Sequence, residues 1–388
     1  MPPCPHYPNC FGCPLINRPY PEQLGLKQQR LAEALAGHPT LANLHPDRIV
    51  GSPQRLGYRA RTKLVVSQRN ETLVAGLYVP GTHRVVDISA CPVHPKPVNQ
   101  VVQYLKKQMP TLAIRPYDEA TDSGQIRYFD IRYSLWRQEL VVTLVTRHDD
   151  FPQGRTLARE LKRRFRFVSG VVQNVNQDKG NVIWGKQFRT LVGRDTLLER
   201  NGFVQLSFPA GVFSQTNPKV ARKLYQHVLE AAHLTGNETV LDCYCGVGPI
   251  SLHLAPGVNR VWGVDDNSLA IATAKQNARM NGIANCRFFS GDVSDFLRES
   301  SDRLPPVDVV TVNPPRKGIQ PRAMNAILGL KAPKLIYVSC EPLTLARDLN
   351  TLVNEGYLVS NLRPFDMFPQ TGEVETVALL NGPARGRV

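Results

Sequence analysis

A chain of 388 residues with 42% hydrophobic residues is long enough to fold as two domains with substantial cores. No apolar run approaches the ~18 residues of a membrane span, and the opening Met-Pro-Pro-Cys-Pro-His has neither a basic start nor an apolar segment. Neither a membrane anchor nor a secretory signal is expected, and the cytoplasm is the expected compartment. The net charge of +15 is unevenly spread: residues 1–200 carry 29 Lys+Arg against 16 Asp+Glu, whereas residues 201–388 carry 18 against 16. A basic half joined to a near-neutral half suggests a part that faces nucleic acid and a part that does chemistry. Eight cysteines in such a chain are expected to be thiols rather than disulfides.

The chain opens on Cys4-x5-Cys10-x2-Cys13 in a Pro-rich loop, with Cys91 following in Ala90-Cys91-Pro92. Three clustered thiolates with a distant fourth suit a four-iron four-sulfur cluster. They also suit a structural zinc ion, for which His6 or His94 could complete the set. Spacing alone leaves both open. Next, Pro21–Ala36 reads as a helix with Leu24, Leu31 and Leu35 on its apolar side. Strand-like alternation follows at 59–66 and 73–79, a hairpin at 126–135 and 139–146 turning on Arg137-Gln138, and more strand pattern at 168–176 and 186–192. The first half is therefore expected to be mostly antiparallel β.

Basic and aromatic residues interleave along these strands: Tyr58, Arg59, Arg61 and Lys63, then Arg127, Tyr128, Phe129, Arg132, Tyr133 and Trp136. Rings that stack on bases and cations that meet phosphates are what single-stranded RNA requires. Arg155–Arg166 reads as a strongly basic helix, suited either to a phosphate backbone or to a solvated face. The change of charge and pattern sets the expected boundary near residue 200, giving domains 1–200 and 201–388.

In the second half strands alternate with helices. Strands are predicted at 239–242, 260–265, 287–290, 307–312 and 335–339, then near 358–366 and 374–380. Alternation predicts a doubly wound, mostly parallel sheet, with the last two strands an antiparallel pair at one edge. The order matches the seven-strand, Rossmann-like arrangement of S-adenosylmethionine-dependent methyltransferases. Asp242-Cys243-Tyr244-Cys245-Gly246-Val247-Gly248 follows the first strand, and its glycines let backbone approach a ligand. Asp265 ends the second strand, where an acid can accept hydrogen bonds from a ribose, and Gly291-Asp292 ends the third, suitably for an adenine amine. The loop is not G-x-G-x-x-G, which favours S-adenosylmethionine over NAD. Asn313-Pro314-Pro315-Arg316 ends the fourth strand. Arg316 stands where enzymes that methylate exocyclic amines carry an aromatic ring, which argues against that chemistry. Leu335–Ser339 reads as a buried strand that delivers Cys340 to the carboxyl edge of the sheet, where such folds bind their ligands.

Taken together these motifs resemble the RNA (uracil-C5) methyltransferases. The resemblance rests on Cys4, Cys10, Cys13 and Cys91, Phe213-Ser214-Gln215-Thr216-Asn217, the Asp242 loop, Asn313-Pro314-Pro315, Ser339-Cys340-Glu341-Pro342, and the segment from Phe365 to Glu375, and it covers essentially the whole chain. It implies a [4Fe-4S] cluster on the four cysteines, Cys340 as the nucleophile that adds to uracil C6, and Glu375 as the base that removes the C5 proton. It also implies cofactor contacts at Gln215, Tyr244, Gly246, Asp265, Asp292 and Asn313, the first and last of these within reach of the uracil. Two positions depart from the family pattern: Glu373, often His, and Glu341, often Asn. The short form resembles the bacterial enzymes acting on 23S ribosomal RNA, so an RNA-binding, monomeric rRNA methyltransferase is expected. A transfer-RNA enzyme is the alternative, and a non-catalytic iron–sulfur RNA-binding protein is a remoter one. Cys243, Cys245 and Cys286 are read as structural.

Overall fold

The computed structural model describes residues 4–70, 72–180, 182–300 and 304–383. The chain forms two compact units: Met1–Asn17, Gln54–Glu199 and Ser207–Pro218 in the first, and Arg18–Pro53, Arg200–Leu206 and Lys219–Val388 in the second. The first helix, α1 (Tyr20–Ala36), therefore belongs with the C-terminal half, not with the basic half that precedes residue 200. The reason is what it buries: Leu31 and Leu35 enter the core of the second unit beside Leu345, Leu349 and Leu352.

The first unit is built on a sheet of β1 (Arg61–Arg69), β2 (Thr72–Tyr78), β3 (Val85–Asp87), β4 (Ile126–Tyr133), β5 (Leu140–Thr146), β6 (Val168–Val175) and β7 (Gln187–Gly193), ordered β3-β2-β1-β4-β5-β6-β7. All neighbours are antiparallel except β5 and β6, which run parallel. The β4–β5 hairpin turns at Gln138, whose φ is 51°. The parallel pair needs a crossover, and α3 (Gly154–Arg164) supplies it. Helix α2 (Lys96–Thr111), absent from the sequence expectations, packs Val98, Val101, Val102, Leu105 and Met109 onto the same core as Leu157, Ala158 and Leu161 of α3. Each such side chain removed from water contributes roughly 1.5–3 kcal/mol. A hairpin of β8 (Thr196–Asn201) and β9 (Val204–Pro209) carries the chain from the first unit to the second and back.

In the second unit, α4 (Pro218–Ala232) precedes β10 (Thr239–Cys243), α5 (Pro249–Leu254), β11 (Arg260–Asp265), α6 (Ser268–Met280) and β12 (Cys286–Ser290). Next come α7 (Val293–Glu299), β13 (Val309–Val312), α8 (Pro321–Gly329), β14 (Lys334–Ser339), α9 (Pro342–Asn354), β15 (Leu358–Phe365) and β16 (Glu375–Asn381). The sheet order is β12-β11-β10-β13-β14-β16-β15. The strands from β10 to β14 pair in parallel, while β16 inserts antiparallel between β14 and β15. So the last two strands do form an antiparallel pair, but only β15 is the edge. Helices cover both faces, which is why the strands read as continuous apolar runs. Leu335 and Tyr337 face one core layer, and Ile336 and Val338 face the other.

Candidate active site

Parallel strands that all point one way present their carboxyl ends along one edge of the sheet. In sheet order this edge carries Asp292 after β12, Asp265 at the end of β11, Tyr244 and Gly246 after β10, Asn313 after β13 and Cys340 after β14. Glu375 joins the row because β16 is antiparallel, so its first residue lies at the edge where its neighbours end. The pairing of β14 with β16 ends at Ser339 and Thr376, so Cys340 and Glu375 are the next residue on each side, and the Glu375 carboxylate acts on the Cys340 thiol.

The loop after β10 is held from beneath. Asp242 is fully buried; its Oδ2 accepts from Ser251 N at 3.0 Å and Ser251 Oγ at 2.5 Å, and its Oδ1 accepts from Thr311 Oγ1 at 2.7 Å. Burial raises its carboxyl to about 6 despite those donors. Tyr244, Gly246 and Gly248 all have positive φ, at 61°, 55° and 83°. At Gly248 a Cβ would also meet the Phe288 ring at 3.1 Å, so only glycine suits both the turn and the packing. At Gly246 a Cβ would meet nothing within 4 Å, so this backbone borders open space. Its N–H donates to Asp265 Oδ2 at 2.8 Å, while Asn267 N donates to Oδ1 at 2.9 Å. Asp292 caps α7 by accepting from Ser294 N at 2.8 Å and Asp295 N at 3.3 Å, and its hydrogen bonds hold its carboxyl below the usual range. Asn313 is half-buried, with its N–H donating to Cys243 O at 3.3 Å. Cys243 and Cys245 are buried, and Cys286 is half-buried.

Cys340 is half-buried. Burial, then the Glu375 carboxylate, push its thiol up to about 11, against an opposing pull from Arg316. Glu375 is 2% exposed, and among the described residues its carboxylate has no hydrogen-bonding or ionic partner. Desolvation alone raises it to about 8. A buried acid titrating near neutrality beside a thiol is an arrangement suited to moving a proton.

Sequence reasoning missed the polar face of α1. Gln23, Lys27 and Arg30 recur at helical spacing and all engage the segment before Glu375. Gln23 Nε2 donates to Gln370 Oε1 at 2.8 Å, and Gln370 N donates to Gln23 Oε1 at 3.0 Å. Lys27 forms a fully buried ion pair with Asp366 and donates to Phe368 O at 2.9 Å. Arg30 donates to Gly372 O at 3.0 Å and pairs with Glu341 at 2.9 Å and Glu373 at 3.5 Å. The signal was available: polar residues at i, i+4 and i+7 beside the leucine stripe.

In the first unit, Cys4, Cys10, Cys13 and Cys91 line one cavity of about 290 Å³. Burial and mutual repulsion push the Cys13 thiol up to about 12, and burial pushes Cys91 to about 11. Among the described residues, however, no group of three or more His, Cys, Asp or Glu is arranged to hold a metal ion, so the metal site expected from the sequence is not seen as a formed ligand set. His6 Nε2 lies 3.2 Å from Ala90 N and accepts from it. Gln215 also belongs to the first unit.

The interleaved basic and aromatic residues call for a correction. Tyr58, Arg61, Arg127, Tyr128, Phe129 and Arg132 are all buried. Arg61 pairs with Asp130 at 3.1 Å, Arg127 donates to the carbonyls of Asn176, Asp178 and Gly180, and Arg132 donates to Pro209 O and Val212 O. Of the same set, Arg59, Lys63 and Tyr133 are half-buried and Trp136 is exposed, so it is Arg61, Arg127 and Arg132, whose guanidinium groups are held internally, that are unavailable to RNA. A run of exposed cations lies on α3, where Arg155, Arg159, Lys162, Arg163 and Arg164 face solvent over a buried Leu157, Ala158 and Leu161. Among the described residues no helix is long and apolar enough to cross a membrane.

Comparison with known proteins agrees with this arrangement. A solved structure, the Pyrococcus abyssi tRNA (uracil-54, C5)-methyltransferase in complex with S-adenosyl-L-homocysteine, superposes with a TM-score of 0.78 at 28% identity, covering 96% of this chain and 86% of that one. An uncharacterised RNA methyltransferase of Halalkalibacterium halodurans is 37% identical over 380 residues, 97% of this chain and 82% of that protein. One of Geobacter sulfurreducens is likewise 37% identical over 380 residues, 98% of this chain and 77% of its own length. Residues 19–382 match the family model described as tRNA (uracil-5-)-methyltransferase. With that match spanning nearly the whole chain, the protein belongs to the tRNA (uracil-5-)-methyltransferase family of RNA methyltransferases.

Proposed function

We propose that this protein forms 5-methyluridine in RNA, with Cys340 as nucleophile and Glu375 as base. The observation that carries the reading is the row of groups along one sheet edge, with Asp292, Asp265 and Gly246 toward β12 and Cys340 and Glu375, whose carboxylate acts on the thiol, at the β14–β16 end. Strands lie ~4.8 Å apart, so the Gly246 loop and Cys340 are separated by roughly 10 Å, a span suited to a nucleotide-bound methyl donor meeting a base.

Uracil C5 is a poor nucleophile. Addition of the Cys340 sulfur to C6 turns the ring into an enolate and makes C5 reactive. The residues fit S-adenosylmethionine: open space over Gly246, and Asp265 and Asp292 at the two strand ends beyond it. When bound, it supplies the methyl group that C5 takes. Glu375, lacking any cation to hold it ionised, then accepts the C5 proton, and the electrons left behind expel the Cys340 thiolate. We assign Asn313, between the loop and Cys340 in sheet order, to orienting the uracil, and Tyr244 and Gln215 to the donor. The target base must leave its stack to reach such an edge, and the exposed cations of α3 are the phosphate-binding surface we assign to the RNA.

For the four cysteines we propose a [4Fe-4S] cluster. A zinc ion would need the sulfurs about 3.8 Å apart around one centre. What supports the cluster is that four cysteine thiols line a single cavity of about 290 Å³, a ligand set that [4Fe-4S] clusters take.

Two RNA substrates compete. The cysteine quartet favours 23S ribosomal RNA, which we propose first. The likeness to the Pyrococcus abyssi enzyme, whose substrate is a transfer RNA, favours the second reading. The test is incubation of the purified protein with isotopically labelled donor and unmodified 23S rRNA or tRNA, followed by nucleoside mass spectrometry. Label in 5-methyluridine from rRNA is expected. Label in tRNA alone would establish the second reading, and label on an exocyclic amine would overturn the proposal.

A further inference from the structure

Four charged side chains close a ring at the nucleophile end of the sheet. Arg316 NH2 lies 3.1 Å from Glu341 Oε2 and 2.7 Å from Glu373 Oε2, and Arg30 lies 2.9 Å from Glu341 Oε1 and 3.5 Å from Glu373 Oε2. Three members sit within three residues of the groups that the proposed reaction uses. Arg316 follows Asn313, Glu341 directly follows Cys340, and Glu373 precedes Glu375 by two residues. The fourth, Arg30, belongs to α1 and also donates to Gly372 O at 3.0 Å. The backbone is tied in the same way: Thr344 Oγ1 donates to Arg316 O at 3.0 Å and to Glu341 O at 3.2 Å, and Glu341 N donates to Ser339 Oγ at 3.2 Å.

We propose that Arg30, Arg316, Glu341 and Glu373 form an ion-pair clasp that fixes the Cys340 turn against the start of β16, which makes them positioning residues for the nucleophile and the base. The inference rests on the reading of Cys340 and Glu375 as that nucleophile and base. Charge decides against the other use of arginines at such an edge, capture of an RNA phosphate: two cations meet two anions, so the ring has no net charge to offer, and both guanidinium groups already serve carboxylates. Each partly exposed pair is individually weak, but a closed ring restrains three loops at once. Loop restraint matters here because a misplacement of about 1 Å can cost about 100-fold in rate.

The test uses the full chain and the variants Arg30→Gln, Glu373→Gln and their double, with thermal midpoint and S-adenosylhomocysteine binding as controls for folding. The first readout is the rate of Cys340 alkylation by iodoacetamide against pH, resolved by peptide mass spectrometry, which needs no RNA. The second is methylation, separated into kcat and KM for RNA. Opening the clasp is expected to speed Cys340 alkylation by at least about threefold and to lower kcat about 10-fold or more with KM for RNA unchanged. The double variant should lose no more than either single, because one break opens the ring. Arg30→Lys should restore part of the loss. Unchanged alkylation, additive losses, or a loss confined to KM for RNA would each overturn the clasp. Altered alkylation in the variants of a protein that methylates no uridine would leave the clasp standing and remove the reaction assigned to it.

Discussion

At the scale of single residues, the proposed chemistry turns on two groups pushed up by burial. The Cys340 thiol at about 11 is almost wholly protonated near neutrality, so the attack on C6 proposed for it must be coupled to loss of the proton. Glu375 at about 8 is mostly neutral below that pH and becomes a competent base above it. Methylation is therefore expected to rise as pH climbs through about 8, and Glu375→Gln should remove that inflection while leaving a covalent, already methylated RNA adduct on denaturing gels. Loss of activity without an adduct would give Glu375 a different role. The same shift has a stability consequence. A carboxyl raised in the fold holds its proton more tightly than in the unfolded chain. Its contribution is thus full below about 4.5 and lost as pH rises through about 8. Glu375→Gln should accordingly unfold at a higher temperature than the parent at pH 8.5 and show little difference at pH 4, as measured by calorimetry.

At the scale of elements, the site depends on α1, which braces the segment leading to Glu375. The Lys27–Asp366 pair is fully buried, and burial holds the Lys27 ammonium below its usual range despite its partner. Removing the lysine would leave a buried carboxylate facing the Tyr20 hydroxyl, 2.6 Å away, in place of a cation. Lys27→Met should cost about 3–5 kcal/mol in denaturant unfolding. A cost below about 1 kcal/mol would mean that Asp366 is relieved in some other way. Strands such as Leu335–Ser339 were legible because parallel strands buried on both faces read as unbroken apolar runs. Helix α2 was not, since Pro97 and Pro110 at its two ends masked the helical spacing of Val98, Val101, Val102, Leu105 and Met109. The insertion of β16 between β14 and β15 was also illegible, because period-2 alternation identifies a strand but not its neighbour. Arg61, Arg127 and Arg132 misled for a related reason: alternation marks a second face without saying whether that face is wet.

For the whole molecule, a net charge of +15 predicts salt-sensitive RNA binding. Arg155→Ala with Arg159→Ala on α3 should weaken RNA affinity and flatten its salt dependence by about 0.7 in log–log slope for each phosphate no longer neutralised. Binding of S-adenosylhomocysteine should stay as it was. An unchanged salt slope would move the RNA surface off α3. Anaerobically purified protein should contain about four iron and four acid-labile sulfides per chain, and Cys13→Ser should lose them. Zinc in their place would replace the cluster with a structural ion.

The central claim is covalent activation of uracil by Cys340, and 5-fluorouridine at the target position tests it most directly, since the proton that Glu375 would remove is replaced by fluorine. Wild-type protein with methyl donor should form a denaturation-resistant protein–RNA adduct that maps to the Cys340 peptide, and Cys340→Ala should form none while still binding S-adenosylhomocysteine. An adduct on another residue, or 5-methyluridine made by Cys340→Ala, would contradict the account.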